Sequence, residues 1–359
     1  MRPDVVVIGA GIIGAACAQA LHARGLTVLV VDRHGPASGT SAAGEGNVLV
    51  SDKEPGPELE LALASRELWP ELAADAEWEE KGGLVVATTG DSAQPLRDFA
   101  ARQRAAGVDA RELTAAEALA REPHLNPELT AAVHYPRDAQ LNPVKATRAL
   151  LRGIAVTRAE VSTTDGRSVT TSGGVIRCGA VVNATGPWAR GFGVNVLPRR
   201  GVVLVTTPIP GAIRHKVYDA DYVGAVASGD ADLQTSGVVE STRAGTVLIG
   251  SSRQRKGFDD TIESEVLRAL ARRAIALFPM LTNVPVMRAY GGFRPYAPDH
   301  LPIIGADPRT PGLWHATGHE GAGVGLAPAT GRLLAQLLTG ETPLVDPHPF
   351  RVDRPEVMV

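Results

Sequence analysis

The chain opens on an uninterrupted apolar run, Val5-Val6-Val7-Ile8, which breaks at Gly9-Ala10-Gly11-Ile12-Ile13-Gly14 and resumes with helical composition over 15–24. Gly25 stands where a helix-ending glycine is expected, and a second apolar run, 26–31, closes on Asp32. Strands apolar at every position fit a parallel sheet covered on both faces. The opening segment therefore predicts a right-handed strand–helix–strand crossover. Residues 35–57, rich in Gly, Ser, Pro and acids, predict a long functional loop. Further helices are expected over 58–69, 93–106, 114–121, 143–151, 262–277 and 324–338. Strands are expected over 82–89, in alternation with Gly turns through 154–182, and across 200–255.

Composition narrows the class. A length of 359 residues suggests two domains, and 44% hydrophobic with 21% charged residues is the balance of a globular protein. Lys+Arg number 36 against 39 Asp+Glu, too little positive excess for a nucleic-acid partner bound through its phosphates. The two cysteines, Cys17 and Cys178, supply neither a disulfide framework nor a Cys-based zinc site, and fit a reducing compartment. No metal is expected. The nearly uncharged stretch 4–23 is split by glycines at fixed offsets, which argues against a signal peptide or a membrane span. The expectation is a cytoplasmic chain with no transmembrane segment.

The glycine motif gains weight from its setting, since it follows a strand, opens a helix and is answered by Asp32 at the end of the next strand. Gly9 permits the tight turn, Gly11 leaves room for a pyrophosphate, and Gly14 lets the helix pack on the sheet. Asp32 suits a ribose 2′-hydroxyl and repels a 2′-phosphate. A dinucleotide other than NADP is implied. The choice between NAD and FAD rests on a second glycine-rich helix entry, Gly318-His319-Glu320-Gly321-Ala322-Gly323. A helix start there would stabilise negative charge on a reduced flavin, so FAD is the expected cofactor.

Five phrases spread over nearly the whole chain carry a family resemblance: GAGIIG with Asp32, GTSAAGEGN, VVNATGPWA, GGFRPYAPDHLPIIG and GHEGAGVGLAPATG. The chain resembles the D-amino-acid oxidase superfamily of FAD enzymes, more narrowly the branch with D-hydroxyproline and proline dehydrogenase, opine oxidase and hydrogen cyanide synthase flavin subunits. Glycine oxidase is a more distant likeness. The resemblance implies an α/β fold with a discontinuous, Rossmann-like FAD-binding domain over 1–80, 141–200 and 295–359. An interleaved α+β substrate domain over 81–140 and 201–294, with a mixed antiparallel sheet, completes it. It also implies oxidation of the C–N bond of an amino or imino acid (a D-amino acid, a proline-like or a glycine-like substrate) to the imine, with hydride passing to flavin N5. The electron acceptor is oxygen, a quinone or a partner subunit of a homo- or hetero-oligomer.

The residues expected against FAD are Gly9, Gly11, Ile12, Ile13, Gly14, Asp32, Arg33, Thr40, Ser41, Gly46, Asn47, Val161, Ala184, Thr185, Gly186, Arg294, His319, Gly321, Gly323, Val324, Gly325 and Leu326. Arg294, in Gly-Gly-Phe-Arg-Pro, has the planar fork that matches a substrate carboxylate. The tyrosine that glycine-oxidase-like enzymes use as a second carboxylate contact is missing from 238–245, leaving Tyr222, Tyr218 or Tyr290 to replace it. Tyr222 and His319 join Arg294 as catalytic candidates, with Glu320 set to balance His319 and His315 a weaker candidate. Glu45 and Asn47 are expected to line the site, and Lys53 is the one lysine in a plausible loop for activating oxygen. No histidine stands in Ser41-Ala42-Ala43-Gly44 and no cysteine near the C-terminal part, so FAD is expected to be held non-covalently.

Overall fold

The computed structural model describes residues 2–222 and 232–359; residues 223–231, within the expected substrate-domain segment, lie outside the described residues. Six strands form the first sheet, in the order Ile303–Ala306, Leu313–Thr317, Ala180–Asn183, Val5–Ile8, Val28–Asp32 and Ala155–Arg158. All neighbouring pairs are parallel except the outermost, Ile303–Ala306 against Leu313–Thr317. The register sets Ile8 beside both Val31 and Asn183. Gly9, Asp32 and Ala184 therefore emerge together at the carboxyl ends of three adjacent strands, where open α/β sheets bind ligands.

The first helix, Ile12–His22, begins earlier than composition suggested because Gly14 lies inside it. It packs on the C-terminal helix, Gly323–Thr339, so closely that a Cβ on Gly331 would stand 2.4 Å from the Ala16 carbonyl oxygen. A third helix, Pro57–Leu72, is pinned to the same C-terminal helix by Trp69, whose indole N–H donates to Val324 O at 3.1 Å.

The second sheet has eight strands in the order Val286–Tyr296, Leu197–Thr206, Val247–Arg253, Gln234–Ser241, Lys216–Asp219, Gly83–Ala87, Ala131–Tyr135 and Arg111–Leu113. It is mixed: Lys216–Asp219 runs parallel to Gly83–Ala87, and the other pairs are antiparallel. Alternation divides its faces. Val202, Leu204, Val239 and Ile249 meet the helix Ser264–Leu277 through Leu270 and Leu277 in one apolar cluster. The intervening positions Arg199, Gly201, Glu240 and Lys216 point the other way, and there the functional side chains collect. Among the described residues, no helix is long and apolar enough to cross a membrane, and no three His, Cys, Asp or Glu side chains gather as a metal site.

Candidate active site

The glycine cradle is built by contact. Gly9 has φ +107°, and a Cβ there would lie 2.4 Å from Ala184 O. A Cβ on Gly14 would fall 2.0 Å from Gly9 O, so the helix start and the turn touch backbone to backbone. Asp32 organises the rim: one carboxylate oxygen accepts from Ala10 N at 2.8 Å, the other from His34 N at 2.8 Å and Gly35 N at 2.7 Å. Ser41 caps the helix from outside, its Oγ accepting from Ile12 N at 2.9 Å, while Gly11 faces the same hydroxyl. Ile13 packs near Gly323, so the two helix starts converge. Thr185 is held by Asn183 at 2.7 Å, and Gly186 O accepts from Thr317 at 3.1 Å.

Several expected cofactor contacts have a structural partner as well. Arg33 stacks on Trp188, 4.2 Å from its ring centroid. Thr40 Oγ1 donates to Phe293 O at 2.6 Å, tying the loop after Asp32 to the strand that carries Arg294. Gly46 has φ +93° and is crowded by Leu141 O, which explains the glycine through chain packing. Val161 packs against the apolar cluster that holds Val6, Ile8 and Val31. Gly321 faces Arg294, and Gly325 and Leu326 sit in the first turn of the C-terminal helix, Gly325 against the short strand Asn47–Val48.

Arg294 is paired across the sheet with Arg199, and its guanidinium lies over Gly201, where any Cβ would collide with it. Nη1 donates to Ser252 O at 2.7 Å. Burial, and next the charge of Arg253, depress the guanidinium to about 10, a large shift for a group that normally keeps its proton. Tyr222, Glu320 and Glu45 are close enough to oppose that shift. Tyr222 lies on the same side of the sheet, with the Arg253 guanidinium 4.8 Å from its ring centroid. Tyr218 instead bonds Ser51, and Tyr290 sits beside Glu45 and Glu240 with Arg288 stacked on it.

His319 is buried, with Nε2 2.9 Å from Thr330 Oγ1 and Nδ1 without a partner; burial lowers it to about 3, so the imidazole is neutral. Glu320 does not balance it. Glu320 adopts φ +45° and meets the fully buried Arg199 at 2.6 Å and His300 at 3.6 Å. His315 is satisfied on both ring nitrogens, by Asn183 at 3.0 Å and Asp307 at 3.1 Å, and serves the sheet. Lys53 is clasped by Asp52 at 2.9 Å and Glu58 at 3.6 Å. Glu45 Oε1 and Asn47 Oδ1 are buried acceptors with no partner, although Asn47 Nδ2 donates to the other Glu45 oxygen at 3.1 Å.

Arg253, Arg199 and the buried pair Lys216–Glu240, 3.0 Å apart, were not singled out by sequence reasoning. They lie on strands without a glycine-rich phrase; strand pairing sets Arg199 opposite Arg294, and the Lys216–Glu240 pair lies near Glu45.

A close glycine cradle, a helix start aimed at it and buried unpartnered polar atoms on Asn47 and His319 fit a bound dinucleotide. This is the architecture of a flavin-dependent oxidoreductase, with a recessed cation on the sheet opposite. The chain belongs to the FAD dependent oxidoreductase (DAO) family, whose profile matches residues 4–337. It is 31% identical to a glycine oxidase of Geobacillus kaustophilus, over 98% of this chain and 97% of that one. It is 27% identical to the hydrogen cyanide synthase subunit HcnC of Pseudomonas protegens, over 98% of this chain and 96% of that one. Among solved structures, glycine oxidase from Geobacillus kaustophilus superposes with a TM-score of 0.88 at 28% identity, covering 98% of this chain and 99% of that one. L-proline dehydrogenase from P. horikoshii gives 0.85 at 25% identity, covering 96% and 95%. The chain is an FAD-dependent enzyme, and the α/β fold with a Rossmann-like layer is the family's.

Proposed function

We propose that this enzyme oxidises the C–N bond of an amino or imino acid to the imine, with Arg294 holding the substrate carboxylate. The observation that carries this reading is the recessed Arg294 guanidinium: among the described residues no carboxylate lies within ion-pair distance of it, and its one hydrogen bond goes to a neutral carbonyl. A buried cation without an ion-pair partner is costly, and an arriving anion relieves that cost. The names of its relatives, glycine oxidase and L-proline dehydrogenase, support an amine donor of this kind.

When bound, FAD supplies the acceptor for the substrate's hydride. Gly9, Gly11, Gly14 and Asp32 would hold its dinucleotide part, and the start of the C-terminal helix would face its ring. The side chains do the positioning. Arg294 fixes the carboxylate, Tyr222 borders it, and the free acceptors of Glu45 and Asn47 receive the amine N–H groups. His319, neutral at physiological pH, offers Nδ1 for one hydrogen bond and carries no charge. We assign cofactor binding to 1–80, 141–200 and 295–359, and substrate binding to 81–140 and 201–294. Delivery of electrons to a partner subunit or a quinone is the second reading. The likeness to HcnC, named as a subunit, favours it. So does Lys53, whose charge is already committed to two carboxylates.

Anaerobic mixing with D- and L-amino acids, proline and hydroxyproline isomers, glycine and sarcosine tests the proposal. Bleaching of the oxidised flavin band is expected with at least one of them. Fast return of colour in air would mark an oxidase, slow return a dehydrogenase. No bleaching in protein that holds FAD would overturn the amine reading.

A further inference from the structure

Arg253 ends the strand Val247–Arg253 and is 3% exposed. Its Nη1 donates to Ser251 Oγ at 3.0 Å, its Nε has no partner, and its guanidinium lies 4.8 Å from the centroid of Tyr222. Among the described residues no carboxylate stands within ion-pair distance of it. The carbonyl of its neighbour Ser252 accepts from Arg294 Nη1 at 2.7 Å, and the Arg253 charge acts on Arg294 and Glu320, so it borders the same recess.

The nearby cations fall into two groups. Lys53 sits between Asp52 and Glu58, Lys216 is paired with Glu240 and Arg199 with Glu320. Among the described residues, Arg294 and Arg253 have no carboxylate within ion-pair distance. A guanidinium held in a poorly hydrated place without an adjacent anion is costly. An ordinary amino acid brings one carboxylate and serves one of the two. An amino acid with a second acidic group brings a carboxylate to each.

We propose that Arg253 is a specificity-determining residue that binds a second acidic group, so that the substrate class is acidic amino or imino acids. This rests on the proposed amine oxidation at the same site. Arg294 takes the carboxylate next to the reacting carbon, Glu45 faces the amine, and Arg253, seated on Tyr222, takes the distal acid. A planar fork stacked on an aromatic ring is well placed to meet a carboxylate edge-on.

The test begins with unreactive ligands, so that it does not depend on turnover. The FAD-loaded enzyme is titrated with succinate and with propionate, following perturbation of the flavin spectrum and, independently, heat by calorimetry. Succinate is expected to bind about 30-fold or more tightly than propionate, the effect of one additional desolvated charge pair. In Arg253→Met that preference disappears, and in Arg253→Lys it is partly restored; retained FAD and an unchanged circular dichroism spectrum confirm that each variant is folded. Equal binding of the two acids by the wild type would overturn the proposal. So would an Arg253→Met variant that weakens both ligands alike, since the two arginines would then share a single carboxylate. Anaerobic reduction by aspartate, compared with alanine in both enantiomers, gives the reactive counterpart. If no amino acid bleaches the flavin while succinate is still preferred through Arg253, the amine chemistry fails and the acid-binding role stands.

Discussion

A methyl group added at Gly9 would meet the Ala184 carbonyl at 2.4 Å on a backbone whose φ is +107°. Neither the contact nor the torsion can relax without moving the strand end. Gly9→Ala is therefore expected to purify with little or no bound flavin, read as the ratio of flavin to protein absorbance. Arg294 fails differently. Arg294→Met leaves the cradle intact, so FAD content should hold while affinity for carboxylate ligands falls by about 2–5 kcal/mol, measured in the same spectral titration. Glu320 is a third case, a side chain in the left-handed region whose charge faces fully buried Arg199. Burial alone would raise its carboxyl, but His300 and the charges of Arg199, Arg253 and Arg294 bring it down to about 2, below the ordinary 4.5. Its stabilisation is thus present above 4.5 and lost as pH falls toward 2. Glu320→Gln should cost about 3 kcal/mol at neutral pH by chemical denaturation, and should cost less as the medium is acidified.

Among the elements, those legible in the sequence are the ones whose chemistry is local. The first strand, glycine turn and helix declare themselves because the three glycines stand at fixed offsets between an apolar strand and a helix, and Gly14 meets the Gly9 carbonyl within the same turn. Arg294 is legible for a related reason, since it sits inside a phrase of small residues. Arg253 is hidden, and Tyr222 is a catalytic candidate only as one of three tyrosines that could fill the role, because what defines them is a neighbour distant in sequence. Arg294 reaches Ser252 across Gly201 on the intervening strand, a relation that hydrophobic alternation does not encode. Glu320 shows the opposite error. Sequence adjacency assigned it to His319, but its left-handed backbone turns it toward Arg199 instead.

For the whole molecule, a buried polar column joins the layers. Asp138, fully buried, accepts from Val50 N at 2.9 Å and Ser51 N at 3.3 Å, and Ser51 also bonds Tyr218. Burial raises the Asp138 carboxyl to about 7 from an ordinary 3.8, so the folded state keeps a proton that the unfolded chain releases. Its contribution is complete below 3.8 and is lost as pH rises through 7. Asp138→Asn, which keeps an acceptor for both amides, should flatten the fall in melting temperature between those two values in a calorimetric pH series. Since FAD is expected to be held without a covalent bond, denaturation in guanidinium followed by filtration should release all the yellow colour. Colour retained on the chain would refute that attachment.

The hydroxyl of Thr40 fastens the loop after Asp32 to Phe293, and Tyr296 bridges to His319 on the far side of Arg294. The strand bearing the primary clamp is thereby moored to the cofactor layer on either side of it. The strand bearing Arg253 has no such tether among the described hydrogen bonds. On the proposed reading Arg253 can be exchanged without moving the cofactor layer, whereas its neighbour Ser252 cannot, because the Ser252 carbonyl holds Arg294 Nη1. Substrate choice would then vary at single side chains of this strand, while its backbone stays fixed by pairing on both edges.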